Sequence, residues 1–264
     1  MEFFAISNGI PIHILDTKKG DITIMLLHGY LETLYIYSQF IELLQKTYRV
    51  IAIDLPGHGL SGSDKEINTM DFAADIAVDV LINVCKVTTP VYIAGHSMGG
   101  YIAQACMKSH RDKFNGLILL NSTPFADNPD KKTDRLREIE LVNNAKLNAL
   151  AALSIPKMYA TENLRRMDEK IEETIEITET HDPNGIVACI KGLMERADNV
   201  ELLTTFHKIL FIFGDRDKFI SNEKAAEISA KYPLATTVII PATGHNSFVE
   251  DPEKVEQAIK KFTE

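Results

Sequence analysis

The sequence predicts an α/β protein: a mostly parallel, eight-stranded sheet flanked by helices, with a helical segment inserted late in the chain. Three observations carry this. Short, continuously apolar runs alternate with stretches of helical spacing, and strands apolar on both faces belong to a parallel sheet covered by helices. Residues 124–205 have helical spacing and no strand-like run, and about 80 residues is too long for an ordinary connection. Polar residues flanked by glycine sit at the C-terminal ends of several strand runs, where open α/β sheets bind their ligands.

The elements follow in order. Glu2–Ser7 and Pro11–Asp16 flank the turn dipeptide Asn8-Gly9 and predict an opening hairpin. Asp21–Leu27 is a buried strand. Tyr35–Thr47 has helical spacing at Ile36, Phe40, Leu43 and Leu44,. Arg49–Asp54 is a strand and Asn68–Lys86 a helix, repeating at Phe72, Ile76, Val80 and Val84. Strand Pro90–Ala94, helix Ser97–Ser109 and strand Phe114–Asn121 come next. After the insertion come strand Lys208–Gly214, helix Glu223–Lys231, strand Thr236–Pro241 and helix Pro252–Thr263. The expected division is a core of residues 1–123 and 206–264 and a helical cap of residues 124–205.

Composition narrows the function. The 264 residues are 45% hydrophobic and 25% charged, as in an ordinary globular protein,. A net charge of −9 without a basic stripe argues against nucleic acid and against an anionic membrane surface as partners. The longest apolar runs are strand-sized, far short of the ~18–20 residues of a membrane helix. The opening MEFFAISNG lacks the basic-then-apolar pattern of a signal peptide,. Cys85, Cys106 and Cys189 are odd in number and widely spaced, which fits buried thiols in a reducing cytoplasm rather than disulfides or zinc. No histidine pair has metal-ligand spacing, so no metal is expected. The expected partner is a small molecule, and the chain is a monomer or homodimer.

Gly95-His96-Ser97-Met98-Gly99 joins a strand to a helix. On a turn this sharp the nucleophile is strained, its flanking glycines let strand and helix approach, and the helix N-terminus points its free amides at the site. Leu26-Leu27-His28-Gly29-Tyr30 ends an earlier strand, so the backbone amides of Tyr30 and Met98 can serve as an oxyanion hole. Serine needs a base, and the base needs a carboxylate to fix its tautomer. Phe213-Gly214-Asp215-Arg216-Asp217 offers two acids at one strand end, and Gly244-His245-Asn246 an imidazole at the next. The order serine, acid, histidine is the one that accompanies a G-x-S-x-G nucleophile.

Together LLHGY (26–30), DLPGHGLS (54–61), GHSMGG (95–100), FGDRD (213–217) and GHNSFVEDPE (244–253) resemble the α/β-hydrolase fold superfamily, in its cap-bearing branch of small esterases and lactonases. The resemblance implies a triad of Ser97, Asp217 and His245, with Asp217 chosen over Asp215 as the fourth residue of G-x-x-D. It also implies an oxyanion hole at Tyr30 and Met98 and no cofactor. The reaction expected is cleavage of a carboxylic ester, lactone or thioester through an acyl-enzyme. A cofactor-free C–C hydrolase or a perhydrolase would use the same triad, and a non-catalytic receptor the same fold. Phe125, Leu153, Met158, Tyr159 and Leu193 are the candidate lining of a mainly apolar pocket.

Three patterns invite other readings. Gly57-His58-Gly59-Leu60-Ser61-Gly62 spells a dinucleotide motif, but no helix opens on its last glycine,; the resemblance makes the loop structural. His96 adjoins Ser97, yet neighbouring side chains diverge at a strand end, so it is expected to support the turn. Six acids between Asp168 and Glu179 read as a solvated helix face over an inward stripe of Ile171, Ile175 and Thr178.

Overall fold

The computed structural model describes residues 1–264. Eight strands form one sheet: β1 (Glu2–Ser7), β2 (Ile10–Asp16), β3 (Thr23–Leu27), β4 (Arg49–Ile53), β5 (Val91–His96), β6 (Gly116–Leu120), β7 (Ile209–Gly214) and β8 (Thr236–Ile240), in the order 1-2-4-3-5-6-7-8. The β1–β2 and β2–β4 pairs are antiparallel, and every other pair is parallel. The expected hairpin turns at Asn8 and Gly9, both at positive φ.

Period-2 alternation divides the strand side chains between two faces. Ile24 and Leu26 of β3, Val50 and Ala52 of β4, and Leu210 and Ile212 of β7 pack with α1 (Ser38–Leu44) and a C-terminal helix, Pro252–Thr263. Met25 and Leu27, Ile51 and Ile53, and Phe211 and Phe213 face the other way, toward α2 (Met70–Asp79) and α3 (Met98–Ser109). Both faces are therefore dry, and this is why the strands read as continuous apolar runs.

Between β6 and β7 the chain forms only helices: α4 (Pro129–Asn143), α5 (Leu147–Ser154), α6 (Asp168–Glu179), α7 (Pro183–Glu195) and α8 (Val200–Leu203), with two short 3₁₀ turns. The six acids of α6 are exposed, and Ile171, Thr174 and Thr178 are buried beneath them, with Ile175 half-buried. The remaining helices are α9 (Asn222–Lys231), α10 (Ser247–Glu250) and α11 (Pro252–Thr263).

Two helices differ from expectation. The segment from Tyr35 opens as a 3₁₀ turn, Leu34–Tyr37, because Thr33 caps the Tyr35 amide before α1 starts. The helix expected over 68–86 is α-helical only to Asp79 and then widens into a π turn, Val80–Val84. No helix is long and apolar enough to cross a membrane, and the three cysteines are free and buried.

Candidate active site

Because β3 and β5 to β8 run parallel, their C-terminal ends open on one edge of the sheet, and five loops meet there. At the end of β5 Ser97 adopts φ 49° and ψ −111°, a strained conformation outside both helix and strand,. Added Cβ atoms show why glycines flank it: at Gly95 one would lie 2.2 Å from the Gly99 carbonyl oxygen, and at Gly99 2.0 Å from that of Leu27. Glycine here is required by the contact of α3 with β3 and β5. The Ser97 amide donates to Leu120 (3.0 Å), and its carbonyl accepts from Gly100 (3.0 Å) and from the Ser122 hydroxyl (2.8 Å). The elbow is thus held by backbone bonds on both sides.

At the ends of β7 and β8, His245 Nδ1 lies 2.8 Å from Asp217 Oδ2. The Asp217 side chain is sealed from solvent. Its Oδ1 accepts from the amides of Phe219 (2.7 Å) and Ile220 (3.1 Å), and Oδ2 also accepts from Asn121 Nδ2 (2.9 Å). Burial alone would raise this carboxyl; the charge and hydrogen bond of His245, with Asn121 and the amides, hold it below its ordinary value,. Asp215, the other acid of the loop, accepts from the Ala242 amide and pairs with Arg216 instead.

Ser97, His245 and Tyr30 line one cavity of about 450 Å³, together with residues of α4, Ser154, Met158 and the loop at 218–220. The Ser97 hydroxyl and His245 Nε2 share that space without a hydrogen bond between them; such bonds commonly tighten only around substrate. The Tyr30 amide makes no hydrogen bond within the protein, and Met98 supplies the first N–H of α3, which has no internal acceptor,.

Two of the five expected lining residues are found on the cavity wall. Phe125 and Met158 line the cavity. Leu153 does not: α5 buries Leu147, Leu150 and Ala151, which puts Leu153 on the opposite face, 58% exposed. Tyr159 and Leu193 are fully buried in the core between sheet and inserted helices. The cavity is also less apolar than expected, with Asp127, Lys131, Arg135, Glu138, Lys218 and Lys224 on its wall.

Several contributors were not foreseen. Asn121, at positive φ just past β6, bonds Asp217 and the Gly244 carbonyl and accepts from Ser247. Its position at a strand's C-terminal end was a readable signal. Glu32 Oε2 accepts from the Gly29 amide (2.7 Å) and faces His96 Nδ1 (2.8 Å), while His96 Nε2 faces the His245 carbonyl (3.1 Å). His96 is fully buried and joined to this pair, so it supports the turn. Glu250 accepts from Gly244, Ala160 and Asn163, tying the inserted helices to the His245 loop. His28 is also a scaffold: Nε2 accepts from the Leu55 amide (2.9 Å), and Nδ1 lies 2.8 Å from the Gly29 carbonyl. The Gly57–Gly62 stretch is a loop, and the next helix begins only at Met70.

Known proteins share this architecture. Residues 22–252 match the family model described as the alpha/beta hydrolase fold. The chain is 23% identical to a pimeloyl-[acyl-carrier protein] methyl ester esterase of Yersinia enterocolitica, over 93% of this chain and 95% of that one. It is 25% identical to the protein of the same name from Nitrosomonas europaea, over 92% and 96%. Among solved structures, a malate-bound thermophilic esterase from Thermogutta terrifontis superposes with a TM-score of 0.91 at 29% identity, over 100% of this chain and 98% of that one. An enol-lactonase from Burkholderia xenovorans gives 0.88 at 20% identity, over 98% and 99%, and shares the fold. With the model match extending from the first parallel strand to the start of the last helix, this chain belongs to the alpha/beta hydrolase fold family.

Proposed function

We propose that the protein is a serine hydrolase that cleaves carboxylic esters through an acyl-enzyme. Ser97 Oγ attacks the ester carbonyl carbon while His245 Nε2 takes its proton. The C–O bond to the alcohol breaks, and the same proton leaves with the alcohol. Water then attacks the acyl-enzyme, again with His245 as base, and releases the acid and free Ser97. Asp217 holds the imidazole tautomer, and the amides of Tyr30 and Met98 take the oxyanion. Residues 124–205 act as the cap that closes the cavity. The buried free thiols suit a reducing compartment such as the cytoplasm,.

One observation carries the reading. A serine on a strained turn shares a cavity with a histidine whose far nitrogen is fixed to a sealed carboxylate, leaving Nε2 open to that cavity. The esterase names of full-length relatives support an ester as the bond cleaved.

The test is intact mass after exposure to a fluorophosphonate, together with turnover of a short-chain aryl ester. A single adduct on the native protein and none on Ser97→Ala is expected. Ser97→Ala or His245→Ala should each lower kcat by about 10⁴–10⁶-fold, and Asp217→Asn should cost far more than Asp215→Asn. Retained turnover in Ser97→Ala would sink the proposal.

A further inference from the structure

The charged wall of the cavity has no part in the acyl-transfer steps. Arg135, on α4, is about nine-tenths buried. Its Nη1 donates to Glu138 (2.9 Å) and its Nε to Asp127 (3.5 Å), and its guanidinium lies 5.3 Å from the Tyr30 ring centre. Nη2 makes no hydrogen bond within the protein and is not sealed from solvent, and Arg135 lines the cavity. Asp127 is further occupied by Arg196 at 2.7 Å. Both wall carboxylates are therefore already paired to guanidinium groups.

Of the three wall lysines, Lys224 is paired with Glu227 at 2.6 Å, but the other two are not balanced in this way. Lys131 stands one helical turn before Arg135 on the same face of α4, and both line the cavity. It has no carboxylate within 4 Å, and neither does Lys218 across the opening. Like charges at i and i+4 repel on an exposed helix, and more strongly when desolvated. Burial, and next the Arg135 charge, hold the Lys131 ammonium below the ordinary lysine range. A protein of net charge −9 thus places two lysines without a carboxylate partner, Lys131 and Lys218, beside Arg135 around its candidate nucleophile.

We infer that this wall is a subsite for an anionic group on the substrate, so that the preferred esters carry a carboxylate on the acyl or alcohol portion. Lys131 and Arg135 Nη2 hold the carboxylate, and Lys218 adds its charge at the opening. The inference rests on the esterase reading only for the word ester; the anion site stands on its own geometry. It reverses the mainly apolar pocket expected from composition. The reason is plain: the α4 residues that line the cavity, Lys131, Arg135 and Glu138, are charged, and charged helix positions ordinarily read as solvent-facing.

The experiment pairs the monomethyl esters of glutaric, adipic and suberic acids with methyl esters of the monocarboxylic acids of equal length. Binding to Ser97→Ala is measured by titration calorimetry, which needs no turnover. At low ionic strength at least one half-ester should bind about tenfold or more tighter than its neutral partner. That margin should shrink in roughly 0.5 M salt and collapse toward one when Lys131→Gln is added. Arg135→Gln should do the same; Lys131→Gln, at a half-buried position, is the variant with less risk to folding. Equal or weaker binding of every half-ester overturns the inference, as does a margin that neither substitution reduces. Turnover of the neutral esters by the native protein is scored separately. No turnover beside an intact binding margin removes the esterase reading and keeps the anion subsite.

Discussion

Glu32 is the residue whose removal best separates positioning from chemistry. It does not line the cavity shared by Ser97 and His245, yet its carboxylate joins the Gly29 turn, which presents the Tyr30 amide, to His96, which faces the His245 carbonyl. One buried group thus links the Tyr30 loop, the elbow and the loop that carries His245. Burial would raise the Glu32 carboxyl, but the charge and hydrogen bond of His96, with the Gly29 amide, bring it below its ordinary value. The group is an anion, and its other oxygen has no partner. Glu32→Met roughly keeps the volume and removes the acceptor shared by the Gly29 amide and His96 Nδ1. Misplacing catalytic groups by an ångström can cost about 10²-fold. The expected outcome is a kcat lower by about 10–100-fold with KM nearly unchanged; a change confined to KM would contradict the positioning role. Lys131 gives a second prediction at this scale. Its lowered pKa means it loses charge before an ordinary lysine does, so the preference for anionic esters should fall as pH rises, beginning below the usual lysine range. A preference flat through that range would show that another group holds the anion.

The elbow shows what one element demands of its sequence. Gly99 meets the backbone of Leu27, which cannot give way without breaking the β3–β5 ladder. Gly9, in the hairpin, has positive φ but nothing within 4 Å of an added Cβ. Gly99→Ala should therefore cost at least about 2–3 kcal/mol through overpacking, and Gly9→Ala only about 1 kcal/mol through φ strain. Denaturant titration of the two variants reads the difference, and equal costs would contradict the close-approach argument. These elements were legible because their rules are local. A tight turn needs glycine, a doubly covered strand needs apolar residues, and Ser97, Asp217 and His245 fall at strand ends that the pattern already marked. What escaped was long-range pairing. Glu32 meets His96 across 64 positions, and Asn121 meets Asp217 across 96. Residues of the helical insertion could be ranked by polarity, but which face of α4 or α5 would turn inward depends on docking. That is why Leu153 was expected inside and Lys131 was not.

At the scale of the whole molecule, acid should loosen the contact of the inserted helices with the core before it opens the sheet. His181, just past α6, is buried and its Nδ1 accepts from the Gly59 amide at 3.1 Å. It packs on His58, which packs on His28, with ring centres 5.3 and 5.2 Å apart. The groups facing His181 are these two histidines and Asp54. Burial first, then His28, lowers His181 to about 4, and burial likewise lowers His28 and His58. An unfolded histidine takes up its proton near 6.5, so the stabilisation is complete above that pH and is lost as pH falls from 6.5 toward 4, up to about 3 kcal/mol from His181 alone. The sheet carries an opposite device. Asp16 ends β2, is sealed from solvent, and receives Arg49 of β4 through Nε (3.0 Å) and Nη2 (2.7 Å). Burial raises its pKa, but Arg49 and Lys18 bring it down to about 2. Its contribution, about 2 kcal/mol, is therefore intact above 3.8 and lost only as pH falls from 3.8 toward 2. Thermal unfolding measured from pH 7 to pH 3 should show Tm falling first between 6.5 and 4. His181→Gln should flatten that limb. Asp16→Asn should lower Tm at every pH above 4 without changing the slope there. Limited proteolysis at pH 5 should cut within residues 124–205 while far-ultraviolet circular dichroism still reports the folded sheet. Loss of both signals at one pH would show that the inserted helices and the sheet fail as one unit.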